Sequence, residues 1–170
     1  GHIRNWKALC SELQIDFTLS REKREEEIIK KAYLKWGKEM GLRIYGMFSF
    51  ALYDTENELL FCLRDPFGTK PFYYYETSDG NFLFGTTIKE IMAQKGFKKE
   101  LNDKMLQIYL TMTYTTGEET FFKGVKKLLP GRSLYIAMAV LLILGIAGLL
   151  LRKRKAWRGL CCCALACALA

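Results

Sequence analysis

The sequence predicts an α+β domain in which helices lie over sheet that is covered on both faces. Three observations carry this. Between Gly41 and Thr86, apolar runs of strand length alternate with turn signals. Within those runs the residues pointing to either side are largely apolar, the pattern of strands buried on both faces. Amphipathic helical stripes stand before and after the stretch.

The strands come first. Phe48, Phe50 and Leu52 share one face of an extended segment, and Met47, Ala51 and Tyr53 share the other. Asp54-Thr55-Glu56-Asn57 breaks the run, and Leu59 to Leu63 resumes it. Arg64-Asp65-Pro66-Phe67-Gly68 breaks it again, because Pro fixes φ and Gly tolerates φ > 0. Phe72 to Tyr75, the turn Thr77-Ser78-Asp79-Gly80, and Asn81 to Phe84 complete the pattern. Phe48, Phe50, Leu52, Phe61, Leu63, Tyr73 and Phe84 are the expected core.

Upstream, Asn5 suits the N-cap of a short helix whose face carries Trp6, Leu9, Cys10 and Leu13. Ile15 to Leu19 has the character of a brief strand. A second helix is predicted over 23–40, with Ile28, Ile29, Ala32, Tyr33 and Trp36 as its apolar stripe. Glu25, Glu26 and Glu27 sit near its positive end, and Gly41 is the expected stop. Downstream, Thr87 and Glu90 form a T-x-x-E capping box opening a helix with Ile88, Ile91 and Met92 inward. Asn102 caps a third helix bearing Met105, Leu106, Tyr109 and Leu110. Phe121, Phe122, Val125 and Leu128 punctuate a basic stretch, Pro130-Gly131 turns the chain, and Ser133 to Ile136 is a final strand.

At 170 residues there is room for one domain with a core. The formal charge of +8 is misleading, since Arg152, Lys153, Arg154, Lys155 and Arg158 cluster beyond the last acid, Glu119. Setting those five aside leaves 21 basic against 18 acidic side chains, a net of +3. That is an ordinary protein surface and argues against nucleic-acid binding. Cys10 and Cys62 are isolated, which suits small buried side chains in a reducing compartment better than a disulfide framework. The expected location is therefore the cytoplasm.

Past Ile136 the character changes. Leu134 to Leu151 holds 18 residues without a charge, near the lower bound of the ~17–25 that a membrane-spanning helix needs. Arg152-Lys153-Arg154-Lys155 follows, as at a cytoplasmic membrane edge, and then Cys161, Cys162, Cys163 and Cys167, a context permitting S-palmitoylation. Two readings stand: a hydrophobic, membrane-associating helix at 137–151 with a basic, Cys-rich tail at 152–170, or a sequence junction near Ile136. The junction reading is the preferred one. Either way, the domain proper is 1–136.

The strand region also carries a resemblance. Gly46-Met47-Phe48-Ser49-Phe50-Ala51-Leu52-Tyr53-Asp54, followed by Arg64-Asp65-Pro66-Phe67-Gly68-Thr69-Lys70-Pro71-Phe72-Tyr73-Tyr74, resembles the glutamine-amidotransferase domain of glutamine-hydrolysing asparagine synthetases. That pattern runs roughly G-M-F-A-F-A-L-W-D, then R-D-x-x-G-x-K-P-L-Y-Y. The likeness continues through Thr87-Ile88-Lys89-Glu90-Ile91 and Leu129-Pro130-Gly131, and covers Gly1 to about Ile136. It implies an N-terminal-nucleophile αββα sandwich, here lacking its first strands.

The resemblance implies a chemistry as well. A Cys at the first mature position attacks the side-chain amide of L-glutamine, its own α-amino group acts as base, and an oxyanion hole holds the intermediate. This sequence starts at Gly1, without an initiator Met, and reads as a piece beginning inside the domain. The nucleophile and the Arg that grips the substrate carboxylate are both upstream of it. Gly1-His2-Ile3-Arg4-Asn5 is similar to an N-G-E-I-Y-N motif from its Gly onward, with His2 in place of Glu and Arg4 in place of Tyr. Gly1 is then the oxyanion-hole glycine. A lone His such as His2 is more often just solvated than catalytic. An S-D-x-E segment supplies the Asp that pairs with the substrate ammonium. Counting back from Ala32-Tyr33 puts Glu25 there, whereas counting forward from Ser20 gives Arg21 or, with a slip, Glu22. Arg64 and Asp65 are expected to be structural, as an ion pair or a turn clamp.

The expected function is a glutaminase-domain fragment, inactive by itself, that would feed ammonia to a C-terminal synthetase domain amidating aspartate. Its substrate-binding residues are Gly1, His2 and Glu25, with no metal site and no cofactor in this piece. ATP and Mg belong to the synthetase domain, whose S-G-G-x-D-S loop is absent from these 170 residues. The resemblance also allows a homodimer. The alternative is a membrane-anchored, non-catalytic binding module of the same ancestry.

Overall fold

The computed structural model describes residues 1–115 and 117–137. Its elements, in chain order, are β1 (His2–Ile3), α1 (Trp6–Leu13), α2 (Arg21–Trp36), a 3-10 turn (Gly37–Leu42), β2 (Gly46–Met47), β3 (Ser49–Asp54), β4 (Leu59–Arg64), β5 (Tyr73–Glu76), β6 (Phe82–Gly85), α3 (Ile88–Met92), α4 (Asp103–Met112), β7 (Lys126–Lys127) and β8 (Ser133–Ala137). Two three-stranded antiparallel sheets form, in the orders β3-β4-β8 and β6-β5-β7, while β1 pairs with β2 alone.

Strand alternation builds four layers. On β3 and β4, Phe50, Leu52, Phe61 and Leu63 point one way and join Phe48 with Leu9, Ile28, Ile29 and Ala32 beneath α1 and α2. Ala51, Tyr53, Leu60 and Cys62 point the other way and meet Phe72, Tyr74, Phe82, Phe84 and Leu128 between the two sheets. The outer side of the second sheet offers Tyr73, Tyr75 and Leu83 to Ile88 and Ile91 of α3 and to Val125. The result is helices, sheet, sheet, helix, the αββα order that the resemblance implies. Of the expected core, Phe48, Phe50, Phe61 and Leu63 are buried, whereas Leu52, Tyr73 and Phe84 are half-buried. Tyr73 and Phe84 also face different layers, because they sit at opposite parity on β5 and β6.

Local differences from the sequence reading have local causes. Asn5 precedes α1 but makes no capping bond. Its amide donates to the Arg43 carbonyl at 2.8 Å and accepts the Tyr45 N–H at 3.0 Å, tying β1 to the segment before β2. The strand expected at Ile15 to Leu19 is a turn, in which the Ile15 N–H caps the Cys10 carbonyl and the Thr18 N–H bonds Asp16. α2 starts two residues earlier than expected and stops at Trp36, where the Gly37 N–H reaches the Tyr33 carbonyl; the rest of the expected helix tightens into the 3-10 turn. The Thr87–Glu90 capping box forms with both of its bonds. α4 buries only Met105, leaving Leu106, Tyr109 and Leu110 exposed.

The final strand runs one residue further than expected, through Ala137 opposite Leu59, so Ala137 is strand and not the start of a helix. The rest of the hydrophobic helix expected over 137–151, and the 152–170 tail, lie outside the described residues. Among the described residues no helix is long and apolar enough to cross a membrane.

Candidate active site

The expected substrate-binding residues come together where β1 meets the start of α2. The short β1 is set by its pairing with β2, with His2 opposite Met47 and Ile3 opposite Gly46. A Cβ on Gly46 would stand 2.1 Å from the His2 carbonyl oxygen, so only glycine permits this approach. Ile3 is buried beneath the first layer and fixes the direction of the chain entering α1.

Glu25 projects from the first turns of α2 and is buried. Its Oε1 accepts the Ile3 N–H at 3.1 Å, a bond from His2 Nδ1 at 3.3 Å and a bond from Arg21 Nε at 3.4 Å. Arg21 also donates through Nη2 to the Gly1 carbonyl at 2.6 Å. A buried carboxylate is costly unless it is bonded, and three donors meet that cost here. All three go to one oxygen.

Positive charge from Lys70 also acts on Gly1. Burial holds the Gly1 amine below its ordinary value, and Lys70 and Arg21 add to this while Glu25 opposes it. The Gly1 amine thus feels a buried acid and a half-buried lysine with opposite signs.

Lys70 is held there by the Arg64–Lys70 turn. Asp65 is fully buried, and its Oδ1 accepts the N–H groups of Phe67 and Thr69 and the Thr69 hydroxyl, while Oδ2 accepts the Lys70 N–H at 3.1 Å. Burial pushes the Asp65 pKa up, but these donors outweigh it and hold the carboxyl below its ordinary value. Arg64 closes the turn from outside, donating to the carbonyls of Lys70 at 2.7 Å, Gly68 at 2.7 Å and Leu128 at 2.6 Å. Gly68 has φ +63°, and a Cβ there would meet Pro130 at 2.6 Å and the Arg64 guanidinium at 3.2 Å. Of the two structural roles expected for Arg64 and Asp65, the turn clamp is the one that forms: they bond backbone groups and not each other.

Against known proteins, residues 1–141 match the glutamine amidotransferase domain. The chain belongs to the glutamine amidotransferase family. A Mycobacterium tuberculosis (strain ATCC 25618 / H37Rv) protein, provisionally named a glutamine-hydrolysing asparagine synthetase, is 34% identical over 77% of this chain and 21% of its own length. Asparagine synthetase [glutamine-hydrolyzing] 3 of Bacillus subtilis (strain 168) is 32% identical over 79% of this chain and 22% of its length. Amidase chyE of Penicillium rubens is 33% identical over 64% of this chain and 15% of its length. The chain thus spans about a fifth of the length of the two synthetase relatives.

In this amidotransferase domain the geometry gathers Gly1, His2 and Glu25. Glu25 is buried, whereas Glu22 is exposed. His2 is half-exposed and bonds Glu25. Arg21 and Lys70 are the additions. Arg21 was legible as an i,i+4 partner of Glu25 on a helix. Lys70 lies 69 positions after Gly1 in sequence, and only the folded turn brings the two together. Cys10 and Cys62 are both buried under the sheets, away from this surface. Among the described residues no cluster of His, Cys, Asp and Glu could hold a metal ion.

Proposed function

We propose that these residues form the amino-acid-binding side of a glutaminase domain in an asparagine-synthetase-like enzyme. The observation that carries this is Glu25: a buried carboxylate that the Ile3 N–H, His2 and Arg21 gather beside Gly1. That carboxylate receives the α-ammonium of L-glutamine. The Gly1 N–H faces the side-chain carbonyl, where negative charge develops in amide hydrolysis. His2 and Arg21 hold Glu25 in place.

The family match and the names of the relatives support this reading. In the whole enzyme, the ammonia released here would amidate aspartate activated by ATP with Mg. No step in that half is assigned to residues of this chain. The nucleophile is not Cys10 or Cys62, since a thiol must reach the substrate to attack it and both are buried. The 170-residue polypeptide accordingly binds L-glutamine without releasing glutamate.

Calorimetric titration with L-glutamine tests this. Binding to the wild-type chain, weakened about tenfold or more in Glu25→Gln, is expected for loss of a charge-assisted contact. Absence of binding, or binding indifferent to Glu25→Gln, overturns the assignment. Glutamate release by the purified polypeptide would show that a buried thiol reacts after all and would overturn the inactivity.

A further inference from the structure

We propose that His2 is a positioning residue that makes ligand binding depend on pH. As a neutral imidazole it orients Glu25 for the α-ammonium of the ligand, and as an imidazolium it competes with that ammonium for the same carboxylate. The inference rests on the glutaminase reading above and adds its regulation.

Three observations lead to it. First, His2 Nδ1 lies 3.3 Å from Glu25 Oε1. That oxygen accepts the Ile3 N–H at 3.1 Å and Arg21 Nε at 3.4 Å, so toward His2 it is an acceptor as well. Nδ1 therefore carries a hydrogen in both charge states, and Nε2 is the nitrogen that gains or loses the proton. The bond to Glu25 persists through the titration, and only the charge behind it changes. Second, the His2 side chain is 40% exposed and that of Glu25 3%. Solvent protons reach the ring while the carboxylate stays buried, where a nearby charge is screened less than at an open surface. Third, the His2 main chain is fixed in the β1–β2 ladder, opposite the uncharged Met47.

The surrounding charges set the sign. Arg21 already brings one permanent cation to Glu25 from the same helix. Lys70 and Arg21 act on the Gly1 amine with one sign and Glu25 with the other. An imidazolium adds a second cation to Glu25, and the carboxylate then has less attraction left for an incoming ammonium. Imidazole is the side chain that ordinarily changes charge between pH 5 and 8, and an α-amine such as that of Gly1 also titrates in that range. L-Glutamine affinity therefore falls as His2 takes up its proton. By reciprocity, bound glutamine favours the neutral ring.

The test measures L-glutamine affinity by calorimetry between about pH 8 and pH 5.5 for the 170-residue chain and for His2→Gln, whose amide can still donate to Glu25 but takes up no proton. The ring of His2, the single histidine of the sequence, is followed by NMR over the same range with and without L-glutamine. Wild-type affinity is expected to fall about three- to tenfold on acidification, and that of His2→Gln to change less than about twofold. Glutamine should lower the midpoint of the ring titration by about 0.5–1 pH unit, the same coupling seen from the other side. A profile shared by the wild type and His2→Gln would assign the pH dependence to the Gly1 amine or to Glu25 itself and overturn the proposal. A flat wild-type profile, or affinity that rises on acidification, would overturn it too. If L-glutamine binds neither chain at any pH, the glutaminase reading fails. A ring midpoint lower in Glu25→Gln than in the wild type would then still support the His2–Glu25 proton coupling, and an unchanged midpoint would overturn that as well.

Discussion

Arg64 Nη1 donates to the Leu128 carbonyl at 2.6 Å, across 64 positions of sequence. The same guanidinium bonds the carbonyls of Gly68 and Lys70, so one side chain joins the Arg64–Lys70 turn to the Leu128–Gly131 turn. The Gly131 N–H closes the link from the other side by bonding the Asp65 carbonyl at 2.9 Å. The two motifs that look separate in the sequence are one substructure, and Lys70 stands at its end.

Arg64→Lys should expose this. A lysine keeps the charge but lacks the planar fork that reaches three carbonyls in different directions. At least two bonds to a charged donor are lost, at a cost of about 2–3 kcal/mol. Urea denaturation measures it, and a loss under about 0.5 kcal/mol would mean that the turn closes without Arg64.

Asp65 gives a pH dependence with a definite sign. Its folded-state pKa lies below the ordinary value, so its contribution is complete above the unfolded pKa of about 4 and is lost as pH falls through the folded one. Asp65→Asn should be clearly destabilised at pH 7, and the gap to wild type should narrow below about pH 4. A constant gap over that range would show that the carboxylate charge is not what the turn uses.

Phe50 tests the first core layer. Its ring lies 5.8 Å from that of Phe48 and 6.2 Å from that of Phe61, and the residue is 3% exposed. Phe50→Ala should cost about 3–5 kcal/mol. A loss under about 1 kcal/mol in thermal or urea unfolding would mean that the layer closes over the gap.

The difference between Phe50 and Tyr73 shows how far the fold was legible. Period-two alternation at 47–53 and 59–63 assigns faces directly, because each apolar residue meets a layer on its own side. At Tyr73 and Phe84 the same rule holds for each strand, but which layer a face meets depends on β5 pairing with both β6 and β7, a non-local fact. Helix ends were less legible. α2 had a glycine at either end of its last stretch, and Gly37 rather than Gly41 received the stop. Asn5 had the composition of a cap, yet its amide bonds Arg43 and Tyr45, near in space and distant in sequence. In the site, Glu25 was within reach of sequence counting. Lys70 was not, since a long turn had to fold before its charge could act on Gly1.

Gly46 couples fold to site most sharply. A methyl group there would lie 2.1 Å from the His2 carbonyl oxygen and 3.0 Å from Ile3 Cα, both main-chain atoms that cannot swing aside. In Gly46→Ala, β1 must therefore leave β2. The two-residue ladder contributes little to the core, and Ile3 loses part of its packing, so the expected stability cost is about 1–2 kcal/mol. The effect on the site is larger. The Ile3 N–H leaves Glu25, His2 moves with it, and the Gly1 peptide loses its orientation toward the ligand. L-Glutamine affinity should fall at least tenfold in a chain that still unfolds cooperatively, because the geometry that orients the donors is lost while the four layers remain. Affinity within twofold of wild type would show that β1 can be displaced without cost to the site, and would move the binding residues elsewhere. Amide exchange at residues 2, 3, 46 and 47 distinguishes that case, since it reports whether the ladder has opened.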